Sequence, residues 1–169
     1  ELVEECMAHD RYSFRRNVLQ EKGKTLRFNG YVWDGFAARI NSVQAYYQRS
    51  MELLRPEIRS ELFCAQRPVY AKENDAASTY IDPDGECVNS LISDGCDIQG
   101  SVRNCVLFRG VRVEKGAHVE NCILFKDTVV KAGASIRCVI ADKNVEFGGG
   151  VAMAGHAQYP LVVEKNTKL

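Results

Sequence analysis

The sequence predicts a mainly β chain: a parallel β-helix of hexapeptide repeats, preceded by a shorter mixed segment. Three observations carry this. Val102, Val119 and Ile136 lie 17 residues apart, as do Val106, Ile123 and Ile140, and Gly116, Gly133 and Gly150. Apolar residues also recur every six, as in Ile92 to Ile98, Val113 to Val119, Val130 to Ile136 and Val139 to Val145. Sixteen Val or Ile fall in residues 88–151 against six in residues 1–60, and β-branched side chains favour strands. A subperiod of six inside a unit of about three sixes describes a triangular coil of three short strands, each turning one apolar residue inward. Such coils stack at about 4.8 Å, the ordinary spacing between strands. A β-sandwich would need sustained alternation of period two and hairpin turns such as Asn-Gly, and residues 88–151 have neither.

Each element follows from local signals. Leu2, Val3, Met7, Phe14, Val18 and Leu19 read as helical turns, and Thr25 to Val32 alternates as a strand does. Ser42 caps a helix running to about Leu54, with Val43, Tyr46, Tyr47, Met51 and Leu54 on one face. Pro56 opens a second short helix to Phe63. Residues 65–86, with Pro68, Pro83, Asp82, Asp84 and Gly85, read as a linker. About four coils fit between Val88 and Val151, the first of them short, with Gly95, Gly110, Gly116 and Gly133 at corners. Pro160 to Glu164 reads as a further strand that closes one end or reaches a neighbour. So small an array cannot bury both ends, so one end should dock on something.

Composition excludes several classes. The 169 residues carry 22 basic and 22 acidic side chains, with 46% hydrophobic and 26% charged residues, an ordinary globular balance. No apolar run approaches the roughly 20 residues of a bilayer-crossing helix. Zero net charge without a Lys/Arg block argues against binding through nucleic-acid phosphates. The opening at Glu1, with neither Met nor a signal peptide, reads as a piece of a longer protein. The cysteines (Cys6, Cys64, Cys87, Cys96, Cys105, Cys122, Cys138) are odd in number and include no C-x-x-C pair, and only three histidines accompany them. They read as small buried hydrophobes in a reducing cytoplasm rather than as a zinc or disulfide framework.

Little in the chain carries chemistry by itself. His118 lies on a coil, where some hexapeptide acyltransferases place a general base, but the repeat places no carboxylate beside it. Arg137, Lys143 and Lys165, late in the chain, form the candidate pocket for an anionic metabolite, since Arg and Lys bind phosphate well. The columns Asn104–Asn121 and Cys105–Cys122 read as structural: an amide ladder at a corner and a small side chain inside.

GYVWDGFAARINSVQAYYQRSMELL (residues 30–54), then NSLISDGC, SVRNCVLFRGVRVEKGAHVENCILF and CVIADKN, resembles bacterial glucose-1-phosphate adenylyltransferase (ADP-glucose pyrophosphorylase) over nearly the whole chain. The resemblance implies an α/β fragment of a Rossmann-like nucleotidyltransferase domain (residues 1–64), the linker (65–86) and a left-handed β-helix domain (87–169). Anchored on Ala45-Tyr46-Tyr47, the acidic residue that helps catalytic members hold Mg²⁺ falls at Arg39, which cannot ligate a cation. No catalytic residue and no cofactor is therefore assigned to this chain, and Mg²⁺ belongs to a catalytic subunit. The pattern R-I-x-S-[VI]-x-x-Y-Y and the ending YPLVVEKNTKL resemble the sister branch of glycogen biosynthesis, regarded as regulatory or non-catalytic. Ile136 to Asn144 resembles a run that binds phosphorylated effectors, with Arg137 at its basic position. The implied partners are the catalytic subunit and further copies joined through the β-helix, in the cytoplasm. A catalytically active pyrophosphorylase subunit and a hexapeptide acyltransferase stay open as alternatives.

Overall fold

Apolar residues that recur every six leave each short strand one inward side chain, so the chain must turn a corner before the next can be buried. The computed structural model, which describes residues 2–70 and 76–169, shows that winding directly. The chain divides into two compact units at Gly35 and Phe36.

The first unit holds helix α1 (Leu2–Ala8) and a π-helical segment, Phe14–Gln20, whose N-cap Ser13 accepts a hydrogen bond from the Arg16 amide. Cys6 and Val18 are its buried apolar side chains, and ion pairs Glu5–Lys22 and Arg11–Glu21 bridge its surface. Thr25 to Val32 is not the predicted strand. The amides of Thr25 and Leu26 bond back to the Lys22 carbonyl at 3.0 and 2.8 Å, and no described strand lies alongside to take the rest.

The second unit opens with the two predicted helices. In α2 (Val43–Glu52) the Ser42 hydroxyl accepts from the Ala45 amide at 3.0 Å, and α3 (Pro56–Leu62) has proline in its first turn. The β-helix follows. Its first coil is β1 (Tyr80–Ile81), β2 (Glu86–Val88) and β3 (Leu91–Ile92), and its second is β4 (Asp97–Ile98), β5 (Ser101–Arg103) and β6 (Val106–Leu107). The third is β7 (Arg112–Val113), β8 (His118–Glu120) and β9 (Ile123–Leu124), and the fourth is β10 (Val129–Val130), β11 (Ser135–Arg137) and β12 (Val139–Ala141). β13 (Glu146–Phe147), β14 (Ala152–Ala154) and β15 (Leu161–Val163) complete the fifth. Every third strand pairs in parallel, making three five-stranded sheets: sheet one begins with β1, sheet two with β2 and sheet three with β3. This is a left-handed parallel β-helix.

Five coils therefore replace the four expected. Within residues 65–86, β1 and the corner at Asp82–Gly85, where the Gly85 amide bonds to the Asp82 carbonyl at 2.8 Å, already belong to the first coil. Residues 71–75 of that stretch lie outside the described residues. Paired residues are 17 apart in most rungs, such as Ser101 with His118, and 15 apart at the short step from Glu86 to Ser101. Between β12 and β15 the step is 22, as in Ile140 with Val162. The excess is taken up near His156 and Tyr159, which form a bridge of their own.

Inside, Ile98, Val102, Leu107, Val113, Val119, Leu124, Val130, Ile136 and Phe147 stack as the core. The three corners each carry a column of left-handed backbone. One is Gly116, Gly133 and Gly150; another is Gly95, Gly110, Asp127, Asn144 and Asn166; the third is Asn89, Asn104, Asn121 and Cys138. Asn tolerates that conformation, and Asn89 donates to the Asn104 side-chain oxygen at 2.8 Å, one coil before the expected Asn104–Asn121 pair. The repeated residues Val106, Ile123 and Ile140 face outward on sheet three instead of inward. Helix α2 packs over them with Tyr46, Tyr47 and Met51. The Tyr47 hydroxyl donates to the Asn121 carbonyl at 2.7 Å, pinning α2 to the corner.

Candidate functional site

The predicted anion contacts lie on the late coils, as the sequence placed them, but not in one pocket. Arg137 ends β11 on the outer face of sheet two, exposed, with Glu120 and Ala154 as its register neighbours. It borders a shallow depression of about 350 Å³ shared with His118, Glu120, Ser135, Ala152 and Ala154. Lys143 and Lys165 stand on the corner between sheets three and one, one side of the triangle away. These two are brought together: the Asn166 amide bonds to the Lys143 carbonyl at 3.0 Å, so the lysines occupy equivalent places on successive coils.

Electrostatics separates these three cations, together with Arg112 on β7, from the paired cations of the coils. Arg103 grips Glu86, Lys115 pairs with Asp84 at 2.9 Å, Lys126 with Asp127 at 3.5 Å, and both Lys131 and Lys168 reach Glu146. The Arg103 and Ser101 hydrogen bonds hold the Glu86 carboxyl below the usual carboxylate range, and Lys131 does the same for Glu146. Arg137, Lys143 and Lys165 form no ion pair with any described residue. Their donors are open to an external anion: a planar fork on Arg137 and two point charges on the lysines.

Sequence reasoning missed the column beneath Lys143. The Asn144 amide bonds to the Lys126 carbonyl and the Asp127 amide to the Arg109 carbonyl, so Arg109, Lys126, Lys143 and Lys165 climb one corner. The offset of 17 that exposed the apolar columns applies equally to Arg109, Lys126 and Lys143.

The other expectations take definite positions. His118 is exposed on β8 between Ser101 and Ser135, and no described carboxylate hydrogen-bonds to it, so nothing orients the ring as a general base needs. Arg39 lies in exposed, irregular chain. Among the described residues no three His, Cys, Asp or Glu converge where they could hold a metal ion. Cys105 and Cys122 are buried inside the coils, their thiols donating to the Arg103 and Glu120 carbonyls. No helix of the described residues is long and apolar enough to cross a membrane.

Comparison with known proteins agrees with this geometry. Residues 76–157 match the family model described as "GlmU-like, C-terminal hexapeptide". The chain is 44% identical over 154 residues to the glycogen biosynthesis protein GlgD of Bacillus subtilis, covering 91% of this chain and 45% of that protein. Against the glucose-1-phosphate adenylyltransferase of Acetivibrio thermocellus it is 34% identical over 118 residues, 66% of this chain and 26% of the relative. The chain is similar to the C-terminal portion of GlgD. GlgD of Geobacillus stearothermophilus is 43% identical over 70 residues, 41% of this chain and 20% of the relative. This GlgD-like chain thus spans less than half the length of these curated relatives.

Proposed function

We propose that this chain belongs to a regulatory or structural subunit of ADP-glucose pyrophosphorylase in cytoplasmic glycogen biosynthesis. It assembles with the catalytic subunit and with copies of itself through the β-helix. The observation that carries this reading is the likeness to GlgD, which is both higher and longer than that to the adenylyltransferase. Arg39 adds physical support, because a guanidinium at the family's metal-Asp position repels a cation instead of holding it. The proposed roles of nucleotidyltransferase-like fragment (1–64) and β-helix (87–169) stand, with β1 and the start of β2 moved from the 65–86 joining stretch into the β-helix.

Regulation is assigned to the unpaired cations. A phosphorylated effector takes a bidentate contact from Arg137 and a separate one from the Lys143–Lys165 pair, each charge-assisted hydrogen bond contributing about 1.5–3 kcal/mol. Two measurements test this. The purified chain, given ATP, glucose 1-phosphate and Mg²⁺, is expected to yield no ADP-glucose, and product would overturn the non-catalytic assignment. Binding of a sugar bisphosphate, read by calorimetric titration, should weaken at least about tenfold in Arg137→Ala and in Lys143→Ala/Lys165→Ala, a single lost charge-assisted bond already being of that size. Unchanged affinity in both variants returns these residues to ordinary surface charge.

A further inference from the structure

The outer face of sheet two is graded along the helix axis. Its rungs present Glu86 and Val88, then Ser101 and Arg103, then His118 and Glu120, then Ser135 and Arg137, and finally Ala152 and Ala154. The early rungs are bulky and internally neutralised. Arg103 Nη2 sits 2.6 Å from Glu86 Oε1, and its Nε donates to Oε2 at 3.1 Å. The middle rungs differ. Glu120 and Arg137 are direct register partners, both exposed, yet neither forms an ion pair or side-chain hydrogen bond with any described residue. The last rung is small, and the depression of about 350 Å³ spans it and the two rungs before it, from His118 and Glu120 to Ala152 and Ala154.

Bulk at one end, a hollow at the other and opposite unpaired charges between them make the face complementary to itself. Consider a two-fold axis parallel to the strands, passing between β8 and β11. It lays β8 of a second copy on β11 and β5 on β14. Glu120 then meets Arg137 of the other copy twice over, and each Arg103 lies over the other copy's Ala152 and Ala154, where the side chains leave room. We propose that this face pairs with the same face of a second copy through the reciprocal Glu120–Arg137 contacts. It deepens the self-association of the proposed function and rests on it. Isologous contact of this kind is how most homodimers close. The Arg137 guanidinium serves either this contact or the anion contact, not both at once.

Size sets the strength. Four overlapping rungs at about 4.8 Å and strands of three residues at about 3.3 Å make a patch well below the roughly 800 Å² per partner of a standard interface. The association therefore belongs to the weak class, is sensitive to salt, and is read at high protein concentration.

Sedimentation of the 169-residue chain tests it with two charge reversals, Glu120→Arg and Arg137→Glu. Each variant alone sets like charges face to face and should lose about tenfold or more in self-association. Mixed one to one, the two variants carry complementary faces and should associate with each other at about the wild-type strength, which no folding defect could produce. Self-association of the wild type that neither reversal alters would overturn the assigned face while leaving self-association intact. A mixture no stronger than the separate variants would also overturn the face. A wild-type chain that stays monomeric throughout removes both the face and the self-association behind it.

Discussion

A single backbone angle accounts for much of the corner chemistry. Asn121 sits at φ 53°, where a β-carbon crowds the following carbonyl and only Gly, Asn and Asp are at ease. Asn121→Ala should therefore cost about 1–2 kcal/mol relative to Asn121→Gly, measured as the difference in urea midpoints at constant slope. Cys138 is the exception in the column, a cysteine at φ 52° where its counterparts are Asn. The sequence shows Cys138 as one of seven cysteines and conveys nothing of its backbone, because the offset of 17 from Asn121 is hidden by the change of residue type. Arg137, by contrast, was legible as a site candidate while its separation from Lys143 was not. Six residues apart along the chain is one whole side of the triangle, and that spacing carries no distance until the corners are placed.

Helix α2 shows how an element is fixed by a surface that sequence periodicity misassigns. The column Val106, Ile123 and Ile140 repeats as regularly as the true core, yet it faces outward, and only the helix laid over it reveals why it is apolar. Tyr47, 4% exposed, anchors that contact through its ring and through the bond to the Asn121 carbonyl. Tyr47→Phe should cost about 0.5–1.5 kcal/mol, the net value of one hydrogen bond, and Tyr47→Ala about 3–5 kcal/mol, as for other large aromatic truncations. Burial pushes the Tyr47 phenol well above its ordinary value, with the neighbouring thiol of Cys138 adding to the rise. The folded chain keeps this proton where the unfolded chain releases it. The stabilisation is thus complete below about pH 10, the unfolded value, and falls as pH rises beyond it. Alkaline unfolding of the wild type should fall more steeply with pH than that of Tyr47→Phe, and equal slopes would remove Tyr47 as the cause. Helix ends were readable because Ser42 and Pro56 act through their own backbone neighbours. The strand expected at Thr25 to Val32 was not, since a strand depends on a neighbour that no local pattern supplies.

At the scale of the whole molecule, the coil period was plain in the sequence and the coil count was not. The repeat is exact only where steps of 17 adjoin. The step of 15 at Glu86–Ser101 and the step of 22 at Ile140–Val162 disguised the first and last coils. The exposed ion pairs of the β-helix share one acid response. Glu86 and Glu146 both titrate below the ordinary carboxylate range, so the stability they add is present above that range and lost as pH falls through their lowered values. Glu146→Gln should blunt the acid limb of a thermal-melt series while leaving the neutral plateau nearly unchanged, as for other exposed ion pairs. A last consequence comes from the chain's final residues. Beyond β15 the backbone returns to sheet one, where the Glu146 amide bonds to the Thr167 carbonyl and the Leu169 amide to that of Glu146. That fragment of a sixth turn covers the open edge of β13, and among the described residues no strand lies above β14 or β15. Amide protons should therefore exchange with deuterium in a graded order, slowest in the middle turns around β8 and β9, and at the closing end later from β13 than from β14.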